Sequence, residues 1–357
     1  MMTSLLQAAG RFADHNSPRD EAPLRRHPDK GELALDGGLS LNDSMPDTIS
    51  LLLREREKRG ELWGTLDPET LRVFQEIFEE VGGPGKSFLE VGSGNGFTCV
   101  LFGLLGAREV QGLEVVPEAV AVAQEVKSAV APDAPVFFRR GDAAEGLPYP
   151  DDSFDVLLLI EVVSHVVTDD LTAFFREMVR VLMPGGLLYL QDGNNARSWF
   201  LRRKNYRIWE RFEKGPATGP GETIHSHRIA RPYVETRRHI AADAARSLSP
   251  EEAQRIAEGT FCFSEAQVRD AVARYLVTGN LPSSQFRRKI CPIEPMSRTY
   301  IEQLVDPMEV RGIFRSLGCK VLAFRPRRHL PANALWAAFP RLTMLISNGF
   351  TMIARKG

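Results

Sequence analysis

Residues 88–97 read Phe-Leu-Glu-Val-Gly-Ser-Gly-Asn-Gly-Phe: a short apolar run holding one acid, then glycine at every second position. The apolar run has the length of a strand, and the glycines end it. Glycine reaches positive φ without a steric penalty, so the chain can turn sharply and let a ligand lie against its backbone. The pattern predicts a strand, a tight turn and a helix, the opening of a βαβ unit. Phe97-Thr-Cys-Val-Leu-Phe-Gly-Leu-Leu105 supplies an apolar helix, and Glu109-Val-Gln-Gly-Leu-Glu114 reads as a second strand ending in an acid. Glu114 lies 22 residues after Gly92, near the spacing of roughly 20 expected for a ribose-binding carboxylate.

The glycine spacing narrows the ligand. A nicotinamide site prefers Gly-x-Gly-x-x-Gly, with a pyrophosphate at the helix N-terminus. Here the glycines fall at 92, 94 and 96, with Glu90 two residues before them. An acid at that point repels a pyrophosphate and suits a cationic amino-acid moiety. The pattern resembles the first motif of the class I S-adenosylmethionine-dependent methyltransferases, acid-x-Gly-x-Gly-x-Gly, and Glu90, Gly92, Gly94 and Gly96 match every fixed position. Gly141-Asp142-Ala143 follows a strand-like stretch from Val136, and Pro148 to Ile160 resembles the approach into the fourth strand of that family. Glu161-Val-Val-Ser-His165-Val is similar to the corresponding segment of the ubiquinone-biosynthesis-like, type 11 group, as is Phe174 to Leu190.

The resemblance implies an α/β, Rossmann-like sheet of seven strands with the last one antiparallel. It implies S-adenosylmethionine as methyl donor and S-adenosylhomocysteine as product. Carried over position by position, it implies a cofactor site of Glu90, Gly92, Ser93, Gly94, Asn95, Gly96, Glu114, Val115, Asp142, Ala143 and Glu161. In the family, the acid at Asp142 binds the adenine amino group and the next backbone amide faces the ring. Glu161 is expected to contact the cofactor region through its backbone or to shape the pocket.

Composition is compatible with this reading. A chain of 357 residues, 43% hydrophobic, can bury a large core. Its net charge of -1 excludes a molecule that is polycationic as a whole. The four cysteines, Cys99, Cys262, Cys291 and Cys319, form no Cys-x-x-Cys pair, which speaks against a zinc site and a disulfide framework. The expectation is a cytoplasmic protein, without a signal peptide or a membrane span.

Four regions are expected. Residues 1–45 read as a flexible or wrapping arm, and 46–84 as an N-terminal helical cap. Residues 85–195 and 305–357 make the cofactor-binding domain, with Pro184 and Gly185 expected to stop a helix before the fifth strand. Residues 196–304 break the βαβ pattern and read as a helical insertion that covers the substrate. Ser249 and Ser264 are expected N-caps there. From 196 to 300 there are 19 Lys or Arg against 11 Asp or Glu. Arg202-Arg-Lys204, Arg237-Arg238 and Arg287-Arg-Lys289 are the densest clusters. They read either as solvated helix faces or as steering for an anionic substrate.

The sulfonium methyl is already activated, so the protein must align an acceptor, exclude water and often remove a proton. His165, just past the fourth strand, is the leading base candidate, since imidazole titrates near neutral pH. Asp192, in Asp192-Gly-Asn-Asn195, is the alternative base or an orienter. Glu161, Asp192 and Asn194 also resemble the acid and Asp-Asn pair of catechol-type enzymes that hold Mg²⁺, but the spacing departs, and no metal is expected. His225 and His227 lack a third ligand. Trp63, Tyr206, Trp209, Tyr233 and Tyr300 line either a core or a pocket. Cys291-Pro292 is not at the position of a cytosine-methylating nucleophile.

The fourth-strand end lacks the Asn/Asp-Pro-Pro-Tyr of amino-methylating nucleic-acid enzymes, so nucleic acid is not the expected partner. The expected acceptor is a bulky small molecule, such as a natural-product, sugar or quinone-like metabolite, and the basic clusters would suit an anionic one. Oxygen is the first choice of nucleophile, with nitrogen and carbon open. A homodimer is possible. The alternatives are a binding protein without turnover, a metal-assisted catechol-type O-methyltransferase and an NAD-dependent oxidoreductase.

Overall fold

The computed structural model describes residues 49–56, 68–216, 231–327 and 344–357. The arm expected over 1–45 lies outside these residues, as do Trp63, His225 and His227.

The centre is a seven-stranded sheet in the order β3-β2-β1-β4-β5-β9-β8. Its strands are β1 (Ser87–Val91), β2 (Glu109–Glu114), β3 (Val136–Arg140), β4 (Phe154–Ile160), β5 (Leu182–Asp192), β8 (Lys320–Pro326) and β9 (Phe350–Arg355). Strands β1 to β5 run parallel, and β9 inserts antiparallel between β5 and β8. Parallel strands are covered on both faces, which is why β1 is buried throughout and β4 is nearly all apolar. The strand order reverses between β1 and β4, the point at which open α/β sheets bind ligands beyond their carboxyl ends.

The glycine turn leaves β1 at this point. Gly92, Gly94 and Gly96 all have positive φ, at 73°, 52° and 76°, a region costly for side chains with a Cβ. The turn enters α2 (Phe97–Leu104); α1 (Pro68–Glu80) precedes it, opening on Pro68 as expected. Leu52, in helical residues 49–56, packs with α1, α2 and β1 in one core cluster.

Helices α3 (Pro117–Val130) and α4 (Leu171–Val181) complete the crossovers. Helix α4 stops at Val181, before the expected Pro184. Met183 precedes proline and is disfavoured in the helical region. The chain is extended from Leu182, and Pro184 and Gly185 lie in an irregularity of β5 between Leu182 and Leu187, with Gly185 at φ 78°.

The segment from 196 to 304 carries α5 (Trp199–Lys214), α6 (Tyr233–Ala244), α7 (Pro250–Glu258) and α8 (Glu265–Thr278). Ser249 and Ser264 both form capping boxes, with Glu252 and Gln267. The helical expectation misses one feature. Strands β6 (Ile293–Glu294) and β7 (Thr299–Tyr300) pair as a short antiparallel ribbon. The chain departs and returns at one point, where the Ala196 amide donates to the Val305 carbonyl and the Val305 amide donates to that of Asn194. Helix α9 (Pro307–Ser316) then leads to β8, with Gly318 at φ 80° as its stop.

The insertion has its own core. Trp209, Phe212, Tyr233, Cys291 and Ile301 cluster, with Tyr206 and Tyr300 packed against them. Four of the expected pocket-or-core aromatics are therefore core. Arg237 is fully buried in this unit. Its guanidinium holds both oxygens of Glu213 on α5 and donates to the Ala257 carbonyl at 3.2 Å. The Arg237-Arg238 cluster is thus not a solvated basic face: a buried pair joins α5, α6 and the end of α7. Among the described residues no helix is long and apolar enough to cross a membrane.

Candidate active site

A cavity of about 180 Å³ opens at the carboxyl ends of β1, β2 and β4. Gly92 from the turn, Glu114 and Val115 after β2, Asp142 and Ala143 after β3, and Glu161 after β4 all border it. His165, Val166 and Val167 after β4 also border it, as do Ser297, Arg298 and Thr299 of the insertion ribbon.

The turn is held against β2 through its backbone, since the amides of Gly92 and Ser93 both donate to the Leu113 carbonyl, at 2.7 and 3.1 Å. The Glu114 carboxylate accepts from the Gly94 amide and from the Val116 amide, each at 2.9 Å. Burial raises its pKa, and those amide bonds oppose the rise. Gly92 cannot be replaced without intrusion, because a Cβ there would lie 2.6 Å from Val162 Cγ2. Asp142 uses one oxygen to accept from the Ala144 amide at 2.9 Å.

Several expected cofactor positions do not border the cavity. Glu90 is buried in the middle of β1, where its carboxyl accepts from the Cys99 thiol at 3.0 Å. Burial pushes its pKa up to about 7. It stands behind the turn, against α2. Ser93, Gly94, Asn95 and Gly96 form the turn without lining the cavity, so they set the path of the wall and leave Gly92 as its surface. The buried Ser93 hydroxyl lies against Gly112, where a Cβ would come within 2.8 Å of its Oγ.

Asp192, expected as an alternative base or an orienter, does not border the cavity either. It is completely buried, and its oxygens accept from the Ser164 amide at 3.0 Å and the Asn194 amide at 2.9 Å. Burial and the nearby Glu161 charge raise its pKa. Its two amide bonds tie the end of β5 to the short 3₁₀ turn Val163–His165. Glu161 has φ 56°, a strained value for a residue with a side chain. Its carboxylate pairs with Arg327 at 2.6 Å and accepts from the Gly193 amide at 2.9 Å. Asn194 donates to the Glu302 carboxylate. The oxygens considered for Mg²⁺ are thus engaged within the protein, and among the described residues no group of three or more metal-ligating side chains gathers.

His165 is the expected base candidate that does border the cavity. Its Nδ1 lies 3.0 Å from the Tyr300 carbonyl oxygen. A carbonyl only accepts, so Nδ1 carries the proton, and in the neutral ring Nε2 is left with the lone pair. The Gln303 amide donates to the Ser164 carbonyl at 2.8 Å, so the insertion grips this turn twice. Of the charged side chains on the cavity, Glu114, Asp142, Glu145 and Glu161 are acidic and Arg298 is basic. The three sequence clusters of basic residues do not line it.

Sequence reasoning missed Ser297, Arg298, Thr299 and Arg327. Pro295 marks the ribbon turn, but strands of two residues carry no period to read. Nothing near Arg327 in the chain announces Glu161, which is 166 positions away.

The strand order, the glycine turn at the switch point and the acid ending β2 define a class I methyltransferase fold around a nucleoside-type site. Residues 89–190 match the family model described as "Methyltransferase domain", and this segment is a class I S-adenosylmethionine-dependent methyltransferase domain, similar to the type 11 group. The chain is 38% identical over 117 residues to norajmaline N-methyltransferase and 33% identical over 117 residues to ajmaline N-methyltransferase, both of Rauvolfia serpentina, in each case spanning 33% of this chain. It covers 39% of the length of either relative. A solved S-adenosylmethionine-dependent methyltransferase from Mesorhizobium loti overlaps 80% of this chain and 96% of its own, at 16% identity and a TM-score of 0.40.

The site fits the cofactor that goes with this domain. An open carboxylate at Asp142 can accept from an adenine amino group. Glu114, at the cavity wall, has lone pairs beyond those its two amide bonds use. Val91, Leu113, Val115, Val116 and Val162 give the apolar surface that a flat base needs.

Proposed function

We propose that this protein transfers the methyl group of S-adenosylmethionine to a small-molecule acceptor, with an oxygen atom as the first choice. The bound donor supplies an electrophilic methyl on a sulfonium. The protein's part is to hold it, aim the acceptor, exclude water and accept a proton. Gly92, Glu114, Val115, Asp142 and Ala143 hold the donor, and Glu161 shapes the floor. His165 accepts the proton at Nε2. Asp192 acts through the 3₁₀ turn as a positioning residue. The ribbon at 297–299 and the helices behind it form a lid that separates the site from bulk water.

The observation that carries this reading is the His165 Nδ1 contact with the Tyr300 carbonyl, made by a ring that borders the cavity. It leaves the Nε2 lone pair of a ring that borders the cavity free to take the proton. A nitrogen acceptor is the second reading. The two Rauvolfia relatives are named N-methyltransferases, and the acid-rich cavity suits an amine better than an anion.

The test is a pair of measurements. S-adenosylhomocysteine should raise the melting temperature and NAD should not. A cell extract given labelled donor should then yield a labelled small molecule, whose mass and linkage identify the acceptor atom. Stabilisation by NAD alone would overturn the donor assignment. Stabilisation by S-adenosylhomocysteine without any transfer would point to a binding protein without turnover.

A further inference from the structure

Helix α5 does not bury all its large apolar side chains. Trp199 and Phe200 are 61% and 57% exposed, with ring centroids 6.2 Å apart. Leu201, Asn205, Trp209 and Phe212 are buried. At about 100° per residue, Trp199, Phe200, Arg203, Lys204, Arg207 and Lys214 all fall on the opposite arc, about 140° wide. Arg203, Lys204, Arg207 and Lys214 are exposed on that arc, which also carries half-buried Arg211 and one acid, Glu210, paired with Lys214.

A second basic cluster joins this face. Lys214 Nζ sits 4.6 Å from the centre of the Phe286 ring, and Arg288 reaches Glu210 at 3.5 Å. Exposed Arg287, Arg288 and Lys289 therefore flank α5. Two clusters more than 70 positions apart in the sequence thus form one basic surface with an aromatic tip. Beside it, the Asn195 side chain donates to the carbonyls of Met344 and Ser347, at 2.7 and 2.8 Å. Between those residues Leu345 and Ile346 are 45% and 53% exposed. Both apolar pairs lie at the carboxyl edge of the sheet, since Phe350 at the start of β9 pairs with Asp192 at the end of β5.

We propose that this face docks on an anionic lipid surface, with Trp199, Phe200, Leu345 and Ile346 entering the headgroup layer and Arg203, Lys204, Arg207 and the 287–289 cluster meeting acidic headgroups. Charge complementarity selects this occupant. A second copy of the chain would bring like charges together. RNA would match the charge and could stack on the aromatics, but it offers nothing to exposed Leu345 and Ile346. Aromatic side chains beside a basic helix face are the composition of peripheral membrane contact. The proposal stands apart from the methyl-transfer reading, because lipid binding by this face needs neither donor nor acceptor.

The experiment is co-sedimentation of the full chain with vesicles of phosphatidylcholine alone and of phosphatidylcholine mixed with phosphatidylserine. Binding is expected on the mixed vesicles only, weakening with salt. Arg203→Gln and Arg287→Gln should each lower partitioning about fivefold, from the contribution of one cation near an anionic surface. The double variant Trp199→Ser/Phe200→Ser should lose the binding that survives added salt. A thermal unfolding midpoint that matches the unmodified protein in every variant certifies the fold. The proposal is overturned by equal binding to both vesicle types, by no binding, or by partitioning that the variants leave unchanged. It is also overturned if transfer RNA displaces the vesicles, or if the protein forms dimers that Trp199→Ser dissolves.

Discussion

Gly92→Ala is the sharpest probe of the turn, because two separate costs meet at one atom. Gly92 has φ 73°, and placing an L side chain in the left-handed region costs about 1–2 kcal/mol. The new Cβ would also lie 2.6 Å from Val162 Cγ2, far inside van der Waals contact. Overpacking of this kind costs about 1–3 kcal/mol. Together they predict a loss of about 2–5 kcal/mol of stability. The two parts can be separated by a cycle. Val162→Ala alone removes two buried methyl groups and should cost about 1.6 kcal/mol. In the double variant the clash disappears and the backbone cost stays, so the double should be more stable than the sum of the singles by about 1–3 kcal/mol. Denaturant unfolding of the four proteins gives the stabilities, and calorimetric titration with S-adenosylhomocysteine gives the affinities. Because Gly92 borders the cavity, the affinity should fall by about tenfold or more, equivalent to 1.4 kcal/mol. An alanine protein that unfolds at the wild-type midpoint and binds S-adenosylhomocysteine unchanged would refute both the strained turn and its place in the site.

Three further predictions follow the same geometry. His165→Gln should lower turnover by about 10²–10⁴-fold while leaving S-adenosylhomocysteine affinity intact; unchanged turnover in a kinetic assay would remove His165 as the proton acceptor. Glu90 has a folded pKa near 7 against an ordinary 4.5, so the folded state holds a proton that the unfolded chain releases. Stability should therefore drop by about 3 kcal/mol as pH rises from 4.5 through 7, and Glu90→Gln should flatten that slope; parallel pH profiles for the two proteins would contradict the burial argument. Arg237→Met strands a buried Glu213 carboxylate and should cost about 3–5 kcal/mol. Adding Glu213→Leu should recover most of this in thermal melts, and no recovery would show that the pair was not the cause.

Parts of the site differ sharply in how visible they were along the chain. The wall contributed by Gly92, Glu114, Asp142 and Ala143 comes from strand ends in one βαβ series, and spacing alone aligns strand ends. That Glu90 stands behind the turn was not legible, because a strand alternates its side chains and the alternation does not say which face borders the cavity. Nor does a residue type reveal that two backbone amides already hold the Asp192 oxygens. Arg237 was misread for the opposite reason: a pair of arginines looks solvated until Glu213, 24 positions away, is seen beside one of them.

By itself, the sequence determined the opening strand, the turn at residues 92–96 and the helix that follows, because these depend on local periodicity and on φ values open to glycine; the full sheet and the class of donor followed from the resemblance of those motifs to a known family. Only the tertiary structure decided that residues 297–299 border the donor site, that the Tyr300 carbonyl sets the His165 tautomer, that Arg327 meets Glu161, and that two distant basic clusters share a face. Each of these joins residues far apart in the chain through contacts that leave no periodic trace, so they exist only once the insertion has folded back over the sheet.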